Sequence, residues 1–243
     1  MASGLIAACN EDRMIDAIGL DADDTLWENE TFFRVTEAEF AALLADHTDV
    51  PIGDRLYDIE RKNLALYGFG IKGFILSMVQ TAIEVTDHRI DSRAIARILE
   101  LGQDMLAHPV DLLDGVTDTL DALQGRRLIL ITKGDLIDQE RKIAASGLAE
   151  RFEAVEILAD KTPEAYSRVL YRHNIAPADF LMAGNSMKSD VLPVLELGGH
   201  GVFIPHELTW AVERVSAPDH PRLRQIASIA ELPGLIAELE GAA

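Results

Sequence analysis

The stretch "LDADDTLWENE", Leu20–Glu30, follows an apolar run and places three aspartates within four residues. Clustered aspartate most often marks a solvated turn. Behind a buried strand the same pattern has a second reading: one carboxylate attacks, one moves protons, and a metal ion holds them together. The two readings part on what the rest of the chain brings to Asp21. With "IDAIGLDAD" (Ile15–Asp23) read as a first strand, Asp21 stands where that strand ends. Parallel α/β sheets bind their ligands at such strand ends.

Four further apolar runs bounded by turn residues read as buried strands: "RRLILIT" (Arg126–Thr132), "FEAVEIL" (Phe152–Leu158), "FLMAGN" (Phe180–Asn185) and "HGVFIP" (His200–Pro205). Helical patterns over Leu136–Ser146, Pro163–Asn174 and Lys188–Leu197 separate them. This alternation predicts an α/β fold, a parallel sheet flanked by helices. The interval from Glu30 to Leu106 is different. It carries the amphipathic stretches "TFFRVTEAEFAALLADH", "DRLYDIERKNLALYG", "FILSMVQTAIEVT" and "SRAIARILELGQDML" and no strand pattern, which suits a small helical bundle. The expected organisation is a core of residues 1–29 and 107–243 interrupted by a helical insert of residues 30–106. The chain returns through the proline-containing "AHPVDLLDGV" (Ala107–Val116).

A chain of 243 residues with 48% hydrophobic content and a mean hydropathy of +0.08 can bury a substantial core. Its formal charge is −19, from 22 Lys+Arg against 41 Asp+Glu. No basic patch interrupts that field, which argues against nucleic-acid and anionic-membrane partners. An anionic substrate would depend on a few local positive charges. Cys9 is the single cysteine, so neither an intrachain disulfide nor a zinc-binding cysteine pair is open to the chain. That fits a reducing, cytoplasmic setting. The opening "MASGLIAACNEDR" has a short apolar stretch with no basic region before it and reads as a loosely held extension. His47, His88, His108 and His173 show no metal-ligand spacing.

Right-handed crossovers bring the carboxyl ends of parallel strands to one edge of the sheet. That edge would gather Asp21, Thr132, Lys161 near the end of the third run, and Asn185 with Asp190 after the fourth. In order, "DADDTLW", "ITKGD", the lysine of "DKTPEAY" and "GNSMKSD" resemble the four motifs of the haloacid dehalogenase-like (HAD) hydrolase superfamily. The resemblance spans Ile15 to about Pro205, and it implies a three-layer, Rossmann-like core. The helical insert between the first two motifs is similar to that superfamily's C1-type cap.

The resemblance implies a magnesium-dependent phosphatase acting on a small phosphorylated metabolite. Asp21 would attack phosphorus, and Asp23 would protonate the leaving oxygen and then activate water. Asp24 occupies a variable position of the pattern, where turn and functional roles are both open. Thr132, with the backbone N–H groups of Lys133 and Gly134, would bind the phosphoryl oxygens, and Lys161 would neutralise them. Mg²⁺ would sit among Asp21, the Asp23 carbonyl, Asn185 and Asp190, all oxygen donors. Asn185 departs from the usual motif, which has aspartate there, and costs the site one negative charge. It leaves a 2-haloacid dehalogenase open as an alternative, beside a non-catalytic binding protein on the same fold. In the glycine-rich "YGFGIKGF" (Tyr67–Phe74), Lys72 is a candidate for a second anionic group of the substrate and Tyr67 or Phe69 for a ring. A monomer and a homodimer both remain open.

Overall fold

The structure is a computed structural model that describes residues 14–208 and 210–241. Cys9 and the N-terminal stretch before Met14 lie outside the described residues. Six strands form one parallel sheet in the order β3-β2-β1-β4-β5-β6. They are β1 (Ala17–Leu20), β2 (Leu128–Lys133), β3 (Ala154–Leu158), β4 (Phe180–Gly184), β5 (His200–Phe203) and β6 (Leu223–Gln225). The strand bearing the aspartate cluster is thus central. Ile18 lies opposite Leu128 on one side and Leu181 on the other. At Gly19 an added Cβ would lie 2.6 Å from Phe180 and 2.7 Å from Met182, so only glycine lets the neighbouring side chains close over this strand.

Alternation along the strands divides the core into two layers. Ile18, Leu20, Leu128, Leu130, Leu181 and Ala183 pack on one face. They meet α5 (Val116–Ala122), α6 (Leu136–Ser146) and α9 (Leu232–Leu239). Ala17, Ile129, Ile131, Phe180 and Met182 pack on the other face against α7 (Pro163–Arg172) and α8 (Leu192–Glu196). Each fully buried Leu or Ile contributes about 2 kcal/mol in removing its side chain from water.

Between β1 and β2 the chain forms α1 (Glu30–Leu44), α2 (Ile52–Tyr67), α3 (Ile71–Val85) and α4 (Ser92–Ala107). These helices bury a cluster of their own around Phe40, Leu56, Phe74, Met78 and Ile98. The entering and returning segments run side by side. Glu28 N donates to Asp111 O and Leu113 N to Leu26 O, each at 3.0 Å.

Lys188–Leu197, expected as one helix, is instead a π-helical turn (Met187–Val191) that passes into α8. Pro193 explains the break, because it has no N–H and its ring crowds the preceding turn. The short elements β6, α5 and α9 had no counterpart in the sequence reading.

Candidate active site

Asp21 follows the last residue of β1, and its backbone N–H donates to Ala183 O at 3.0 Å. That bond across to β4 fixes the side chain at the sheet's carboxyl edge. Its Oδ1 accepts from Lys161 Nζ at 2.5 Å and its Oδ2 from Thr25 Oγ at 3.0 Å. Lys161 reaches in from the turn after β3, just ahead of α7, whose first turn is capped by Thr162. The same ammonium donates to Asp190 Oδ1 at 2.6 Å, and Asp190 Oδ2 accepts from Ser186 N at 2.8 Å. Lys161, Asp190 and Asp21 are all buried. Burial works against the Lys161 charge, but Asp190 and Asp21 hold its ammonium well above the ordinary lysine range. Burial, then the neighbouring Asp21, pushes the Asp190 carboxyl up to about 7 against the pull of Lys161.

Asp23 has a different environment. Its carboxylate accepts from Lys142 Nζ at 2.6 and 2.8 Å, from Gln139 Nε2 at 2.8 Å and from Trp27 Nε1 at 2.7 Å. Burial alone would raise its pKa, but Lys142 and these hydrogen bonds outweigh it and keep Asp23 below the usual value. Asp24 accepts from the backbone N–H of Asn29 at 2.8 Å and of Glu30 at 2.9 Å. It therefore caps the entry to α1, in a left-handed conformation with φ of 58° that aspartate tolerates better than most residues.

Thr132 and Lys133 end β2, and Gly134 follows with φ of +145°. Asn185 follows β4; its N–H donates to Thr25 Oγ at 3.1 Å, and its Oδ1 lies 3.5 Å from that hydroxyl. Asp21, Asp23, Thr132, Lys133, Gly134, Lys161, Asn185 and Asp190 all line one cavity beneath the helical layer. Lys72 is not among its lining residues. It stands in the first turn of α3 and pairs with Asp135 at 2.9 Å. Phe69 does line the cavity, whereas Tyr67 ends α2 half exposed.

Sequence reasoning missed four contributors. Lys142 and Gln139 share one face of α6, but nothing local ties them to Asp23, more than a hundred residues away. Trp27 is a buried core residue that also holds Asp23. Glu213, on the short turn Ala211–Glu213 after β5, accepts from Lys133 Nζ at 2.6 Å and from Ser186 and Ser189 at 2.5 Å. Burial would raise its pKa, but Lys133 holds it below the ordinary range.

The donor set fits a hard divalent cation. Two buried carboxylates share one ammonium, the Asn185 carbonyl oxygen and Asp21 Oδ2 flank the same Thr25 hydroxyl, and the described residues lining the cavity include no cysteine, methionine or histidine. Asp24, Glu28 and His206 also converge, near the start of α1. There the Asp24 carboxylate is already engaged by the α1 N-terminus.

A family model for haloacid dehalogenase-like hydrolases matches residues 15–198. Among solved structures, a haloacid dehalogenase-like family hydrolase from Xanthomonas campestris is 40% identical, covering 94% of this chain and 93% of its own, with a TM-score of 0.86. A 2-haloacid dehalogenase from Pseudomonas syringae shares the fold at 21% identity, 93% and 99% coverage and a TM-score of 0.62. So does the HAD-hydrolase YfnB from Bacillus subtilis bound to magnesium, at 16% identity, 92% and 99% coverage and a TM-score of 0.64. None of the curated proteins compared matches the sequence.

Proposed function

We propose that the chain, which belongs to the haloacid dehalogenase-like hydrolase family, hydrolyses small phosphate monoesters with Asp21 as nucleophile and magnesium as cofactor. The observation that carries this reading is the Asp23 carboxylate, which lines the same cavity as Asp21 two residues further on. An alkoxide leaving phosphorus needs a proton, and the water that follows must lose one. Halide leaves carbon without a proton, so a carboxyl group placed to protonate a leaving oxygen favours phosphoryl chemistry.

An oxygen of Asp21 attacks phosphorus, the ester P–O bond breaks, and the leaving oxygen takes the Asp23 proton. Asp23 then takes a proton from the water that attacks the aspartyl-phosphate, releasing inorganic phosphate and restoring Asp21. Lys142 keeps Asp23 ionised in the resting site. An incoming phosphoryl dianion favours its protonated form, which is the form the first step uses. Lys161 holds Asp21 in place and faces the developing charge, and Thr132 lines the cavity beside it; the Gly134 N–H, expected to bind a phosphoryl oxygen, is instead spent on Leu158 O at 3.1 Å, which continues the β2–β3 pairing. Magnesium, held by Asp21, the Asp23 carbonyl, Asn185 and Asp190, would screen the repulsion between nucleophile and phosphate.

Residues 30–106 act in this reading as a cap that admits substrate and excludes water. The Lys72–Asp135 pair and the Phe69–Trp210 edge contact, with ring centroids 6.1 Å apart, would hold it over the core. Among the described residues no helix is long and apolar enough to cross a membrane; the enzyme is proposed to work on metabolites in the cytoplasm.

The test is phosphate release from 4-nitrophenyl phosphate with magnesium and with chelator, set beside chloride release from 2-chloropropionate. Asp21→Asn is expected to lose at least 99% of phosphatase turnover with its circular dichroism unchanged. Asn185, in place of an acid, favours the dehalogenase as second reading. Metal-independent chloride release without phosphate release would establish it instead.

A further inference from the structure

The wall of the cavity opposite Asp21 is built by α1, α2 and α3, and its polar side chains are three carboxyl groups, one amide and one hydroxyl, with no cationic group among them. Glu30 and Glu37 come from α1, Glu60 and Asn63 from α2, and Ser77 from α3. The Ser77 hydroxyl spends its proton on Gly73 O at 2.9 Å. Asn63 Nδ2 spends both of its own, on Ser77 Oγ at 3.1 Å and Gln80 Oε1 at 3.0 Å. Because Ser77 must receive that bond, the orientation of the Asn63 amide is determined. Asn63 is only 6% exposed, and its Oδ1 is left with no hydrogen-bond partner among the described residues. A carbonyl oxygen that lines a cavity and accepts no bond from the protein is open to a donor on a ligand.

Charge points the same way. Arg34 pairs with Glu30 at 2.9 Å and with Glu37 at 3.1 Å, so one guanidinium serves two carboxylates. Glu60 has no ion pair or hydrogen bond among the described residues, although it lines the same wall. Burial, then Glu37 and Glu30, raises its carboxyl to about 8. No lysine, arginine or histidine of the four helices lines the cavity; its three lysines stand on the core side and are all paired.

We propose that this wall selects a phosphate ester whose leaving group carries a protonated amine, held by Glu60, Glu30 and the Asn63 carbonyl oxygen. The phosphoryl end would lie at Asp21 and Lys161 and the ammonium at the helical layer. This rests on the phosphatase reading and adds the class of substrate to it. A neutral polyol could satisfy Asn63 but would leave Glu60 protonated and unpaired, whereas an ammonium favours its ionised form and pairs with it. An acidic leaving group would meet repulsion.

The experiment compares ω-aminoalkyl phosphates with ω-hydroxyalkyl phosphates of two to six carbons, reading kcat/KM for the full chain at pH 7 with magnesium. At the best length the amine is expected to be preferred at least tenfold. In Glu60→Gln the amine-to-hydroxyl ratio is expected to fall at least threefold, a readout independent of any change in overall rate; Glu30→Gln, at the other carboxyl of the proposed site, provides a second variant. Calorimetric titration of the Asp21→Asn chain with the same pairs gives the preference without turnover. Equal values for amine and hydroxyl at every length, or a ratio unmoved by the variants, overturns the proposal. If 4-nitrophenyl phosphate is not hydrolysed the phosphatase reading fails, and calorimetry still decides: tighter amine binding supports the acceptor wall, and equal or absent binding overturns it.

Discussion

Replacing Glu60 by glutamine should make the protein more stable. The ordinary carboxyl value of 4.5 is raised to about 8 in the folded chain, first by burial and then by Glu37 and Glu30, with Arg34 opposing. The folded state therefore keeps a proton that the unfolded chain has already released. Stability is fully present below the unfolded value and is lost as pH rises from about 4.5 through about 8. Each unit corresponds to about 1.4 kcal/mol, so up to about 3 kcal/mol has been lost by pH 7. Glu60 is not fully buried, and solvent screening reduces the expected effect to about 2 kcal/mol. Glutamine keeps the shape and removes the titration. Urea unfolding of parent and variant at pH 5, 6, 7 and 8 should show near-equal stability at pH 5 and a gap that opens with pH. Glu30, raised to about 7 by burial against the pull of Arg34, leaves the variant part of its pH dependence. A variant no more stable than the parent at pH 8 would refute the claim that Glu60 is strained by its neighbours.

Gly184→Ala places a Cβ 2.3 Å from Asp190 Oδ2; driving Asp190 from Ser186 and Lys161 should cut turnover at least about a hundredfold and cost about 1–3 kcal/mol in urea unfolding. Normal activity in that variant would show that Asp190 is dispensable. Asn185→Asp adds one negative charge to the proposed metal ligands and should tighten magnesium about tenfold, or about 1.4 kcal/mol. Equal or weaker affinity in a titration at low ionic strength would remove Asn185 from the inner sphere. Tyr166→Phe deletes a hydroxyl that is buried without a hydrogen-bond partner, so stability should hold or rise by about 1 kcal/mol. A loss greater than that would reveal a partner for the hydroxyl, such as a bound water.

The parts of the fold that were legible are those whose burial is local in sequence. β1, β2 and β4 are covered on both faces, so they read as continuous apolar runs ended by turn residues; β3 and β5, only partly buried, still carry enough apolar residues to read as strands. β6 has Arg224 at its centre and pairs on one side only, and three such residues give no pattern. The helices of the insert each have more than three turns over which to show an apolar stripe; α5 has seven residues.

The same distinction holds at the site. Asp21, Thr132, Lys161, Asn185 and Asp190 follow strand ends, so topology alone brings them together. Lys142, Gln139 and Glu213 reach the cavity from helix or turn positions, and only tertiary packing decides which way such residues face. Lys72 illustrates the converse. Its glycine-rich setting suggested a loop at the pocket, but α3 begins one residue earlier and turns the ammonium to Asp135.

The three aspartates of the opening stretch end in three electrostatic settings: Asp21 on Lys161, Asp23 on Lys142, and Asp24 on the amide groups that begin α1. One turn thus places Asp21 on the cavity, holds Asp23 beside it and anchors the first helix above them. Among the described residues lining the cavity no cation is left over. Nine carboxyl groups and three lysines line the cavity, and Lys133, Lys142 and Lys161 are each already bound to a carboxylate. A phosphoryl dianion entering such a place must either displace one of those carboxylates or bring positive charge with it. Displacement leaves a carboxylate unpaired in a buried site, which costs several kcal/mol. Positive charge can come at two points: a divalent ion among Asp21, Asn185 and Asp190, and an ammonium on the substrate at Glu60. In the proposed reading, the acidity that at first argues against an anionic substrate makes both cations part of its recognition.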